Sequence, residues 1–296
     1  MKTEKDSKRT ERLIERLLQS SALLSVFTTL AILGVLIFQA ADFFLEVSII
    51  EFLTERRWTP LFTPQHFGIM PLVSGTLLVT IISLLVAVPV GLGTAIYLSE
   101  YAPDRLRRII KPILEVLAGV PTVVYGYFAL TFVTPILQVI FPEMIVFNAL
   151  SAGIVMGIMI IPMVSSLSED AMLAVPNYLR EGAYALGAKK HEVALHIVFR
   201  SAFSGIVASI ILAISRAIGE TMIVSIAAGS TPRLTMNPLE SIQTMTGFIT
   251  QISLGEAPYG SLEYQTIFSV GLTLFILVFV VNIIGNYLIQ RYWRQY

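Results

Sequence analysis

The sequence contains no cysteine, which removes disulfides, thiolate nucleophiles and thiolate metal sites from consideration. Three histidines in 296 residues leave little material for a metal centre. Charge is scarce as well: Asp, Glu, Lys and Arg make up 14% of the chain, where a soluble domain carries about a quarter. The 20 basic and 20 acidic residues cancel, so no charge excess points to nucleic acid as a partner. No G-x-x-x-x-G-K-[ST] phosphate loop occurs, since Gly91 and Gly93 lack its spacing and its lysine. If ATP drives this protein, another chain holds it, and no cofactor is expected on this one. The first apolar run is too long for a signal-peptide core and lacks a small-residue cleavage site, so a cleavable leader is not expected.

What is present is apolar. Hydrophobic residues are 55% of the chain and the mean hydropathy is +0.77. The apolar runs are near-continuous over roughly 20 residues, as a membrane helix needs, whereas barrel strands alternate over about 10. The expected fold is an all-α polytopic membrane protein with six transmembrane helices. They are placed near Ser20–Ala41, Leu72–Ser99, Ile113–Phe141, Phe147–Leu167, Phe203–Ala228 and Thr266–Ile289. Residues 1–19 form a polar tail, and residues 20–296 a membrane domain that includes the polar segment 169–200. Pro89, Pro121, Pro135 and Pro162 fall inside spans, where each removes a backbone hydrogen bond and predicts a kink or break.

Lysine and arginine are distributed unevenly about these spans. Sixteen lie in the N-terminal tail, the second-to-third and fourth-to-fifth connections and the C-terminus; three, Arg56, Arg57 and Arg233, lie on the other side. The positive-inside rule places the sixteen, and both termini, in the cytoplasm. Trp58 and Trp293 suit interfacial anchors at opposite faces. The outer loops Asp42–Pro71 and Gly229–Gln265 are long enough to build an external docking surface.

The fifth span carries Arg216 and Glu220 at its middle. A central arginine costs about 2.5–3.5 kcal/mol even on the lenient insertion scale. Four residues apart on one helix, the two share a face and can touch. They form either an ion pair that locks helices together or an anion site, since guanidinium grips an oxyanion bidentately and keeps its charge. Arg216 lies about 20 Å along its helix from Phe203, near the bilayer midplane. Thr122, Tyr125, Ser215 and Thr221 are candidate neutral donors, although such hydroxyls commonly bond to their own helix.

Two patterns have plain alternatives. His191 and His196 brush against the H-E-x-x-H metalloprotease helix, but five residues leave them about 140° apart around a helix, so no zinc site is expected. Gly153 and Gly157 form G-x-x-x-G, which fits packing within the chain as well as dimerisation.

The segment EGAYALGAKKHEVALHIVF, Glu181–Phe199, reads as a helix, a turn at Gly187 and a second short helix. Its small apolar residues and mixed charges suit a groove on a partner protein better than a lipid surface. It resembles the E-A-A-x3-G-x9-I-x-L-P motif of ABC importer permeases. Glu181, Ala183, Gly187 and Ile197 are in register, with Gly182 for the second alanine, Phe199 for leucine and Arg200 for proline. AGVPTVVYG (Ala118–Gly126), SRAIGETM (Ser215–Met222) and the run Glu263–Asn282 resemble signatures of phosphate ABC importer permeases of the C type. The resemblance implies a coupling helix seated in a cytoplasmic ATPase, with the Glu181, Gly182, Ala183, Gly187 and Ile197 positions forming it. It also implies a heterodimer with a homologous, PstA-like permease subunit, two ATP-binding subunits and an external phosphate-binding protein. The chain itself would be a non-catalytic subunit of a prokaryotic inner membrane, surrounded by lipid. A permease for another oxyanion, molybdate or sulfate, and a passive anion channel are the alternatives. A channel has no use for an ATPase dock.

Overall fold

The computed structural model describes residues 4–293, with side chains for residues 11–291; the Trp293 anchor expectation falls outside the described side chains. The chain opens on α1 (Glu4–Glu46) and the short α2 (Ile49–Thr54). The second span is α3 (Met70–Ile96), which ends in a π turn at Tyr97–Tyr101. The separate α4 (Asp104–Ala118) follows. The third span joins α5 (Thr122–Phe128) to α6 (Thr134–Ile140) through a π turn. Next come α7 (Ala149–Leu173) and α8 (Asn177–Ala185). A short helical stretch contains α9 (Lys190–Glu192), a π segment and α10 (Phe199–Ser201). It meets α11 (Phe203–Ile218) at a 70° bend. The remaining helices are α12 (Met222–Ala227), α13 (Met245–Gln251) and α14 (Leu262–Trp293). Among the described residues no strand forms, and five helices are long and apolar enough to span a membrane, or six when the bent pair counts as one.

The centre is the α3–α7 pair. Lipid is as apolar as leucine, so membrane helices associate through close packing rather than water exclusion. Gly153 and Gly157 supply the close approach. A Cβ on Gly153 would lie 2.6 Å from Ile82 Cγ2, and one on Gly157 would lie 2.7 Å from the Ser83 carbonyl oxygen. The G-x-x-x-G pattern is therefore used within the chain. Val79, Val155, Met156 and Ile160 fill the seam. Few hydrogen bonds cross between helices; Thr134 Oγ1 to Ser151 Oγ at 2.9 Å and Ser168 Oγ to Ser209 Oγ at 2.8 Å are two.

Several boundaries differ from expectation for physical reasons. The 1–19 tail is helical from Glu4 and continuous with the first span, because Ala, Leu, Glu and Arg at residues 11–24 are all good helix formers. The third span begins at Thr122, not Ile113. Pro121 has no N–H to continue α4 and adopts the extended conformation that starts α5. Pro89 and Pro162, by contrast, sit inside unbroken α3 and α7. Trp58 is no interfacial anchor. It is 1% exposed, edge-on to Phe248 at 4.9 Å and next to Phe52. With Phe43 and Phe67 it fastens the 42–71 loop onto α13 and α14.

Candidate functional site

The expected fifth span is broken. α11 ends at Ile218, Gly219 and Glu220 leave the helix, and α12 restarts at Met222. The cause is local. Glu220 turns its carboxylate onto the first free N–H groups of α12, accepting from Met222 N at 3.1 Å and Ile223 N at 3.4 Å. An acidic side chain there caps a helix, which favours ending one helix and starting another. The Glu220 carbonyl, freed by the break, accepts from Thr246 Oγ1 at 2.7 Å. α13 thus closes the gap, and its own Met245 N–H donates to Thr76 Oγ1 at 3.0 Å.

The expected contact between Arg216 and Glu220 is consequently absent among the described residues. With the helix interrupted at Gly219, the two no longer stack one turn apart, and Glu220 is 8% exposed and committed to backbone donors. Arg216, in the last turn of α11, is exposed and has no carboxylate partner among the described residues. Its one side-chain hydrogen bond among the described residues runs from Nη2 to the Met159 sulfur at 3.9 Å. The carbonyl end of α11 favours a cation at this place.

The neutral donors divide. Tyr125 is buried within reach of the Arg216 charge, and its hydroxyl donates to the Leu117 carbonyl at 2.9 Å. Thr221 Oγ1 donates to the Gly219 carbonyl at 3.3 Å. Thr122 is half-buried, and its hydroxyl makes no hydrogen bond among the described residues. Ser215 accepts a bond from Asn282 Nδ2 at 3.2 Å. α5 and α12 press together at Gly126, where a Cβ would meet Ile226 at 3.1 Å and the Ile223 Cα at 3.3 Å. The two signature stretches, 118–126 and 215–222, are therefore neighbours in space.

At the basic end, α8 closes on a left-handed Gly187, φ +86°. Ala188 N–H returns to the Ala183 carbonyl at 3.1 Å and Gly187 N–H to Tyr184 at 2.9 Å, a Schellman-type ending that only glycine adopts cheaply. Glu192 then caps the next helix by accepting from Lys189 N–H at 2.7 Å. Ala183 and Ile197 pack inward against Ala95, Met172 and Val198. Glu181, Gly182, Tyr184 and Leu186 face outward, Leu186 at 90% exposure.

An ion network that sequence reasoning missed anchors this element. Arg180 reaches Glu100 at 3.0 Å and the Met172 carbonyl at 2.8 Å. Glu169 is 0% exposed between Arg107 Nε at 3.4 Å and Lys111 Nζ at 3.5 Å. Lys111 also bonds Asp170 at 2.7 Å. That bond, with the Glu169 and Asp170 charges, holds the Lys111 ammonium above its ordinary pKa against the opposing effect of burial. The available signal was Glu169-Asp170 at the end of an apolar run, where an unexplained carboxylate pair asks for partners.

Residues 87–294 match the family described as binding-protein-dependent transport system inner membrane component. The chain belongs to this family. Similar proteins include a probable ABC transporter permease, YqgH of Bacillus subtilis, 36% identical over 83% of this chain and 79% of its own length. The phosphate transport system permease PstC of Pasteurella multocida is 32% identical over 98% of this chain and 96% of its own length. In fold, this inner membrane component is similar to a bacterial ABC transporter involved in alginate import. The TM-score is 0.66 at 16% identity, covering 97% of this chain and 98% of that one. With its apolar spans, that membership makes the chain a multi-pass prokaryotic inner membrane protein and a translocation subunit.

Proposed function

We propose that this chain is the C-type permease subunit of an ATP-driven importer that carries inorganic phosphate from an external binding protein to the cytoplasm. The observation that carries the reading is Arg216, exposed at a helix break within the membrane domain with no carboxylate partner among the described residues. An arginine left facing lipid at that depth is costly, so its exposed face belongs to a wet path or a partner subunit. The relatives named as phosphate transport permeases supply the substrate class.

Phosphate at neutral pH is a mono- or dianion, and the guanidinium offers it a planar two-pronged donor. Thr122, the nearby Tyr125 and Ser215 line the same path, and Thr221 flanks it. Glu220 shapes the break instead of guarding the anion. The basic end faces the cytoplasm, in keeping with the sixteen-to-three charge bias. There Glu181, Gly182 and Leu186 enter a groove on an ATP-binding subunit while Ala183, Gly187 and Ile197 hold the element's shape. The complete machine adds a second, PstA-like permease subunit, two ATP-binding subunits and the binding protein.

The test is phosphate uptake by the reconstituted complex. Arg216→Leu removes an intramembrane charge, so assembly is retained while uptake is lost. Arg216→Lys is also impaired, because a point charge does not reproduce the fork. Near-normal uptake by Arg216→Leu would refute the assignment.

A further inference from the structure

Hydroxyls in the membrane helices are mostly spent on their own backbone. Thr76, Thr80, Ser83, Thr94, Thr131 and Ser209 each donate to a carbonyl three or four residues back. Ser215 makes no such bond among the described residues. Its oxygen accepts instead, from Asn282 Nδ2 on α14 at 3.2 Å. The same Asn282 nitrogen donates to the Val278 carbonyl at 2.8 Å. A carbonyl oxygen only accepts, so the amide atom facing Val278 is the nitrogen and not the oxygen, which fixes the amide's orientation. An NH2 group cannot take a proton in return. The single Ser215 proton therefore points away from Asn282.

Helix geometry shows where that proton is available. At about 100° per residue, Ser215 and Arg216 border one strip of α11 whose centre is Leu212. Leu212 is 49% exposed, and Met159 of α7 touches the Arg216 edge while Asn282 of α14 touches the Ser215 edge. The ionised oxygens of a phosphate held by Arg216 accept and so need donors, while its remaining P–OH can be met elsewhere. A serine that both gives and takes is an ambiguous partner for it, and occupying its acceptor side removes the ambiguity.

We propose that Asn282 is a positioning residue that holds the Ser215 hydroxyl as a hydrogen-bond donor toward the oxyanion passing Arg216. The assignment rests on Arg216 being in the anion path and adds α14 to it. Loss of Asn282 lets Ser215 bond back to its own helix, as its neighbours do, and the donor disappears.

The experiment measures phosphate moved per ATP hydrolysed by the complete importer in proteoliposomes, at saturating phosphate-loaded binding protein. A donor to an ionised oxygen is among the stronger hydrogen bonds, so Ser215→Ala and Asn282→Leu each lower the ratio about tenfold. The double variant is no worse than either single one, because both remove the same donor. Ser215→Thr, which keeps the hydroxyl, retains the ratio. A purely structural Asn282 would reduce complex yield and thermal stability and leave the ratio unchanged, which overturns the proposal. So does a multiplicative loss in the double variant. Arg216→Lys is measured alongside. Its impairment with normal Ser215 and Asn282 variants sinks only the donor assignment, whereas wild-type behaviour of all three sinks the site itself.

Discussion

Arg107 and Glu169 make an asymmetric pair, and removing them one at a time separates burial from charge. Replacing Arg107 by leucine leaves Glu169, fully buried, with Lys111 at 3.5 Å as its remaining cation. It also strips the Leu98 and Ser99 carbonyls of donors at 2.6 Å and 3.1 Å. Breaking a buried pair so that one charge stays behind costs about 3–5 kcal/mol. Glu169→Leu is the milder change. Arg107 is partly exposed and keeps its carbonyls, and Lys111 keeps Asp170 at 2.7 Å. The loss is then nearer the 1 kcal/mol or so of an exposed ion pair. Arg107→Leu with Glu169→Leu together removes the stranded charge but not the carbonyl loss, and so should recover part of the deficit. The assay is the thermal unfolding midpoint of the purified chain in detergent. At about 2 °C per kcal/mol for a chain of this size, Arg107→Leu should melt roughly 4 °C or more below Glu169→Leu. A Glu169 variant less stable than the Arg107 variant would refute the reasoning, as would a double variant no better than Arg107→Leu.

Gly187→Ala meets no neighbour, since nothing lies within 4 Å of a Cβ there, so its whole penalty is backbone strain at φ +86°. That is about 1–2 kcal/mol, enough to reshape the turn. Uptake and substrate-stimulated ATP hydrolysis should fall at unchanged membrane abundance, and Gly187→Asn, which tolerates the left-handed region, should keep most of both. Single cysteines introduced into this cysteine-free chain at Lys189 and at Ser230 should label from opposite sides of the membrane; Lys189 labelled only from outside contradicts the topology. Glu240 is held below the ordinary carboxylate range by hydrogen bonds from Thr235 and Asn237 and then by Arg233. A depressed folded-state value contributes order above the usual carboxylate pKa and loses it as the pH falls below. Proteolysis or hydrogen exchange of the 229–244 loop should therefore accelerate only under acid conditions, and an Asn237→Ala variant should show the change at higher pH.

Local features were the legible ones. The second, fourth and sixth spans and the helix, Gly187 turn and second helix of 181–199 follow from apolar run length and from glycine's conformational freedom. Arg216 stood out because its cost in an apolar run is a property of the residue alone. Glu220 did not declare its role. Its spacing from Arg216 assumed an unbroken helix, and the break depends on Thr246, distant in sequence, accepting the task of satisfying a freed carbonyl. Trp58 and Glu169 were hidden for the same kind of reason. A tryptophan beside two arginines reads as interfacial until Phe248 covers it, and a carboxylate ending an apolar helix reads as exposed until Arg107 and Lys111 arrive from α4.

The glycine notches of α7 bear on how such a subunit can move. With Ile82 against Gly153, and Val86 and the Ser83 backbone against Gly157, α3 and α7 engage like teeth. Sliding one past the other would require a methyl group to climb out of each notch at once. Packed interfaces of this kind switch between discrete arrangements and do not deform gradually. The pair therefore travels as one beam, and whatever rocking carries cargo across is absorbed elsewhere. The joints available are the 70° elbow before α11 and the three-residue gap after it, which put the hinge line on either side of Arg216's own helix.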